Sequence, residues 1–164
     1  CIFMGGREFF ELTEGLNGAV TNFDAVAEVI KKGSILVPPI GDLGGPFAGR
    51  ADGGTQGKLP DSNEQIVARA SLYLALMTDY CFDLLKAKGP VIGEGSRIGN
   101  HVYLGALASL RQPEQVLVSN EGGIGIPMFI SSLDGHNGKL KGLSPIPISG
   151  MMGSSFAEHV WLDA

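Results

Sequence analysis

At 164 residues, 44% hydrophobic and 18% charged, the chain has the length and composition of one globular domain with a real core. A net charge of −5 with no basic cluster excludes nucleic acid and anionic membrane as main partners, and no apolar run reaches bilayer length. Two cysteines, Cys1 and Cys81, rule out a disulfide framework; Cys81, inside an apolar helical pattern, reads as a reduced core residue, and with no signal or transit sequence the expected location is cytoplasmic.

The chain opens Cys1-Ile-Phe-Met-Gly-Gly-Arg-Glu without an initiating methionine, so it is expected to be part of a larger protein. A short strand pair is predicted around Arg7–Leu12, followed by an Asn17-Gly18 turn. Phe23, Val26, Ala27 and Ile30 then follow the spacing of one helical face, with Thr21 or Asn22 to cap its start and Gly33 to end it. A strand at Ser34–Val37 should follow, stopped by Pro38-Pro39. Residues 38–60 form a long glycine-rich irregular segment carrying Gly45-Pro-Phe-Ala-Gly-Arg50, either a surface loop pinned by Phe47 or part of a site.

The strongest helix runs from Asp61 to about Lys86, with Ile66, Ala70, Leu74, Met77, Cys81 and Leu84 as its buried stripe. Ser62 can cap it, with Gln65 as capping-box partner. Gly89-Pro90 breaks the chain. A strand at Val91–Ile92 leads through Gly93-Glu-Gly-Ser-Arg-Ile-Gly99 into a helix from roughly Ile98 to Leu110. A strand at Gln115–Ser119, the turn Asn120-Glu-Gly-Gly-Ile-Gly125 and a helix at about Pro127–Leu133 come next. The order is α/β, with at least two neighbouring parallel strands. From Gly135 the tail is rich in Gly, Pro and Ser, with a last short helix at Ser154–Leu162.

A strand, a tight glycine turn and a helix place backbone N–H groups where they can hold a phosphate. Two such turns at the carboxyl ends of adjacent strands make a ligand crevice, although glycine also serves plain tight connections. The first turn lacks a full dinucleotide fingerprint and the Gly-Lys-Ser/Thr of a Walker A loop. His101, His136 and His159 have no metal-ligand spacing, and no nucleophile elbow or Ser/His/Asp arrangement is legible. Asp52, Asp61 and Asp79 have no obvious partner, and no general base stands out.

Four stretches together resemble the carboxyl-terminal lobe of the FGGY carbohydrate kinases. They are Phe3-Met-Gly-Gly-Arg-Glu-Phe-Phe, Gly45-Pro-Phe-Ala-Gly-Arg50, the helix Ala68-Arg-Ala-Ser-Leu-Tyr-Leu-Ala-Leu-Met-Thr-Asp-Tyr-Cys-Phe-Asp-Leu-Leu, and Gly89-Pro-Val-Ile-Gly-Glu-Gly-Ser…Asn100. With the turn at 122–125 they span most of residues 1–133, and the pattern is most similar to fuculose- or ribulose-type kinases. The resemblance implies an actin-like (ribonuclease H-like) ATPase lobe with a mixed sheet flanked by helices. The whole chain, 1–164, is then the nucleotide-binding lobe of a two-lobed kinase whose amino-terminal, sugar-binding lobe lies outside it.

On that resemblance ATP and Mg²⁺ are the cofactors and a small sugar or polyol is the substrate, with a homodimer as a further possibility. Gly95, Ser96 and Gly123 approach the nucleotide through their backbone, and Asn100 lies beside it. No catalytic residue and no metal ligand falls within the chain, so the isolated 164 residues are expected to be inactive. There are departures from the family pattern. Glu94 stands where a second glycine is usual, Ile124 and Pro127 alter the later turn, and Ile66 and Tyr73 replace a polar residue and an acid. A carboxylate beside ATP phosphates repels them unless it points away or a cation screens it. Three alternatives follow: a non-catalytic nucleotide-binding or regulatory module, an NAD-type oxidoreductase domain, and a lobe kept for dimer contact through the apolar 66–85 helix.

Overall fold

A computed structural model describes residues 3–16, 20–40, 45–119 and 143–146 of the chain. They fall into two units, one ending at Ala87 and one beginning at Lys88.

The first unit is built on a long helix. Helix α1 (Gly5–Leu12) occupies the segment expected to be a strand pair. Phe9-Phe10 and Leu12 look like a strand run, but the face turned inward is Gly5, Glu8, Phe9, Leu12 and Thr13, at helical spacing. A buried glutamate hides that face from any count of apolar residues. The Asn17-Gly18 turn lies outside the described residues. Helix α2 (Phe23–Lys31) starts as expected, the Asn22 side chain accepting from Ala25 N at 2.9 Å. It ends on Gly33, whose N–H donates to Ile30 O while that of Ser34 donates to Val29 O. Its buried face is rotated from the predicted one: Ala25, Val26 and Val29 point inward and Ile30 stands 41% exposed.

Strand β1 (Ile35–Val37) pairs antiparallel with β2 (Gly54–Gln56), a strand inside the segment read as irregular. Gly57 follows at a close approach: a Cβ there would lie 1.8 Å from the carbonyl oxygen of Gly33. Helix α3 (Asn63–Leu84) is the expected long helix, with Ser62 Oγ accepting from Gln65 N at 3.3 Å. Gln65 departs from the capping box. Its Oε1 accepts from Asp61 N and from Lys32 Nζ, tying the end of α2 to the start of α3. Mid-helix burial wraps round the axis, from Val67 and Ala68 through Tyr73, Leu74, Ala75 and Met77, because α1, α2 and β1 all pack on α3. The predicted stripe fails at its ends: Ile66 and Cys81 are half-buried and Leu84 is 58% exposed.

The second unit begins after Gly89-Pro90 with β3 (Val91–Gly93), parallel to β4 (Val116–Ser119) in the register Val91↔Val116. All four residues of β4 are buried, as in a strand covered on both faces. On its other side β4 pairs antiparallel with β5 (Leu143–Pro145), which the tail's composition concealed, so the sheet is mixed. Between β3 and β4 a 3₁₀ helix (Ser96–Gly99) leads to α4 (His101–Leu110), which packs on β4 with Val102, Leu104, Ala106, Leu107 and Ala108 buried. Burying a leucine such as Leu104 or Leu107 contributes about 1.5–3 kcal/mol. Among the described residues no helix is long and apolar enough to cross a membrane. The helices predicted at 127–133 and 154–162 lie outside the described residues.

Candidate functional site

The site read from the sequence begins where β3 ends. Gly93 closes the strand with Leu104 Cδ2 and Leu117 O just behind it, where a Cβ would make ordinary contact at 3.5 and 3.7 Å. Two residues on, Gly95 takes φ 85°, ψ −160°, a region that is essentially closed to residues with a side chain. Nothing lies within 4 Å of a Cβ built there, so the backbone of Gly95 faces open space. The glycine is required by the turn and not by crowding. The chain then runs through the 3₁₀ helix, whose Ile98 N donates to Gly95 O at 3.3 Å, to Asn100.

Asn100 has a role that the helix boundary placed at Ile98 concealed. Its Oδ1 accepts from Tyr103 N at 2.9 Å, making it the N-cap of α4. An asparagine two residues before the run Val102-Tyr-Leu-Gly-Ala-Leu-Ala was the signal for that boundary. Gly95, Ser96 and Asn100 thus share one turn between β3 and α4, at the carboxyl end of a parallel strand, whereas Gly123 lies outside the described residues. Glu94 sits in the same turn. Its Oε1 is shielded from solvent and has no hydrogen-bond partner among the described residues.

In the first unit the residues around Gly45-Pro-Phe-Ala-Gly-Arg50 follow the packing alternative. The Phe47 ring stacks on Tyr80 of α3 with centroids 5.0 Å apart and planes 26° from parallel. The Arg50 guanidinium lies 5.9 Å from the Phe47 centroid and donates from Nε to Asp52 Oδ1 at 2.9 Å. That bond holds the Asp52 carboxyl below the usual carboxylate range. Asp61 pairs with Lys32, and Asp79 is buried. The Asp52 and Asp61 carboxylates that lacked a partner in the sequence therefore have one in the fold.

The cluster that sequence reasoning missed is Glu8 with Tyr73. The Tyr73 hydroxyl donates to Glu8 Oε2 at 2.5 Å in a buried setting between α1 and α3. Burial pushes the Glu8 carboxyl up, with the Tyr73 bond opposing and Glu11 adding to the rise. Burial, then the Glu8 bond and charge, push the Tyr73 phenol well above its ordinary value. The pair is a donor matched to an acceptor across two helices, 65 residues apart in the chain. His101 is exposed at the start of α4, and among the described residues no group of three His, Cys, Asp or Glu side chains could hold a metal ion.

Residues 1–134 match the family of the carbohydrate kinase FGGY, C-terminal domain. The chain belongs to that family. A solved carbohydrate kinase from Novosphingobium aromaticivorans is similar in structure to this FGGY domain, with a TM-score of 0.70 and 30% identity over 88% of this chain and 31% of that one. The chain therefore spans under a third of that protein's length. No curated protein matches. The α/β architecture with its mixed sheet is that of an actin-like ATPase lobe, as the sequence led one to expect.

Proposed function

We propose that the full-length protein transfers the γ-phosphate of Mg-ATP to a hydroxyl of a small sugar or polyol, this chain being the carboxyl-terminal lobe and supplying part of the ATP-binding side. Membership of the FGGY family over residues 1–134 is the observation that carries this reading. The turn after β3 fits a nucleotide. Gly95 holds a backbone conformation that leaves it open to a ligand, and the turn lies at the carboxyl end of a parallel strand, where ligands of open α/β sheets bind. Gly95 and Ser96 would offer backbone amides, Asn100 a polar side chain beside them, and Gly123, outside the described residues, a further backbone contact.

ATP would supply the phosphoryl group, and its Mg²⁺ would arrive with the phosphates. Such transfer rests on positioning and charge stabilisation, and closure of two lobes would keep water from the phosphoryl group. The amino-terminal lobe would provide the sugar site and the base. Incubating the full-length protein with ATP and a panel of ketoses, deoxy sugars and polyols should give sugar-dependent ADP release. Binding of an ATP analogue with no such release for any of them would overturn the kinase reading. That outcome would favour the non-catalytic nucleotide-binding module, the second reading, which Glu94 in the turn favours.

A further inference from the structure

Glu94 is the residue of the turn that the nucleotide reading does not explain. It lies between the last residue of β3 and Gly95, at the carboxyl end of the parallel pair. Its Oε1 is hidden from solvent, and among the described residues that oxygen accepts no hydrogen bond and the carboxylate forms no ion pair. An acceptor shielded in this way and left unmatched costs stability, and a ligand that donates to it recovers that cost. The chemistry of that partner is constrained. A carboxylate repels the polyphosphate by like charge and, when ionised, only accepts, so on the nucleotide itself its partner is an O–H or N–H donor away from the phosphates. A nucleoside carries such donors on its ribose hydroxyls and on the amino group of its base. A strand-end carboxylate that accepts from a ribose hydroxyl is a known solution in other α/β nucleotide sites.

Resting on the nucleotide reading above, we propose that Glu94 is a specificity-determining residue that accepts a hydrogen bond from the nucleoside half of the nucleotide and keeps the phosphates away from its own end of the turn. The carboxylate then selects for the donor and against a phosphate in the same place. Glu94 acts in binding and takes no part in the transfer itself.

The test uses the full-length protein and isothermal titration with ATP, 2′-deoxy-ATP, 3′-deoxy-ATP and inosine triphosphate, on the wild type and on Glu94→Ala. The expected result is that Glu94→Ala weakens ATP binding about tenfold or more. One of the three analogues, the one lacking the donor that Glu94 reads, should lose a similar factor on the wild type and little more on the variant, the coupling of a double-mutant cycle. Which analogue behaves so identifies the ribose hydroxyl or the base amine as the donor. Without nucleotide the variant should melt no lower than the wild type, because Oε1 satisfies nothing in the fold. Equal or tighter ATP binding by Glu94→Ala, the same penalties on both proteins for all three analogues, or a lower melting point without nucleotide would each overturn the inference. Failure of the wild type to bind ATP at all would overturn the nucleotide reading and this inference with it, and is distinguished by appearing before any substitution.

Discussion

Tyr73 and Glu8 show how a single pair can carry the attachment of a helix. Tyr73→Phe removes the donor and leaves a buried carboxylate unmatched, so a loss of about 1–3 kcal/mol is expected in chemical denaturation at neutral pH. The pH dependence has a definite sign. The folded state holds the Glu8 proton more tightly than the unfolded chain does, so Glu8 favours folding fully below the ordinary carboxylate value. That contribution is lost as pH rises through the raised value, and Glu8→Gln should flatten the decline in denaturation midpoints followed from about pH 4 to pH 8. Gly95 offers a second test. Gly95→Ala forces a side chain into a backbone region it avoids, at a cost of about 1–3 kcal/mol, and should weaken ATP binding. Gly99→Ala, with open space and no positive φ, should leave melting and binding within error, which makes it the control.

The ends of α4 and the faces of α1 and α2 mark where the sequence was readable as elements and where it was not. Asn22 and Ser62 were legible as caps because a short polar side chain before an apolar periodic run has one strong use. The α3 helix and the parallel β3–β4 pair were legible because their apolar runs are long or bounded by glycine and proline. Helix α1 was not, since its inward face includes Glu8, whose partner lies 65 residues away. Strand β5 was not either, because its pairing with β4 depends on a contact far along the chain. At the candidate site the glycine turn was legible and the cap was missed, so Asn100 now has two testable duties. Asn100→Ala should cost about 0.5–2 kcal/mol in thermal or chemical unfolding. Asn100→Ser keeps a neutral cap, so a fall in ATP affinity without a fall in melting temperature would assign the side-chain amide to the nucleotide. Loss of neither with Ser, and of both with Ala, would assign Asn100 to the helix alone.

For the whole molecule, the division at residues 87–88 is a chemical prediction as well as a topological one. The last turn of α3 leaves Leu84 and Leu85 58% and 75% exposed, and Lys86 and Gly89 carry positive φ values where the helix stops. Limited trypsin digestion should therefore cut after Lys86 or Lys88 well before Arg69, which is held in mid-helix with its Nη1 near Thr55, and mass spectrometry of early fragments would check the order. Elsewhere in α3 the apolar surface is taken up by α1, α2 and β1, so a dimer built on residues 66–85 would have only the exposed end to use. The isolated 164-residue chain should form no ADP in a sugar-dependent way, because the proposed sugar site and base belong to the other lobe. The close approach of Gly57 to the Gly33 carbonyl has a further consequence, for inheritance. The end of α2, the hairpin and the Lys58-to-Lys32 backbone bond meet at that one point, so residue 57 cannot drift while residue 33 stays in place. A chimera exchanging segments with another family member must carry residues 22–58 from a single parent, and crossovers inside that interval should be the ones that fail to fold.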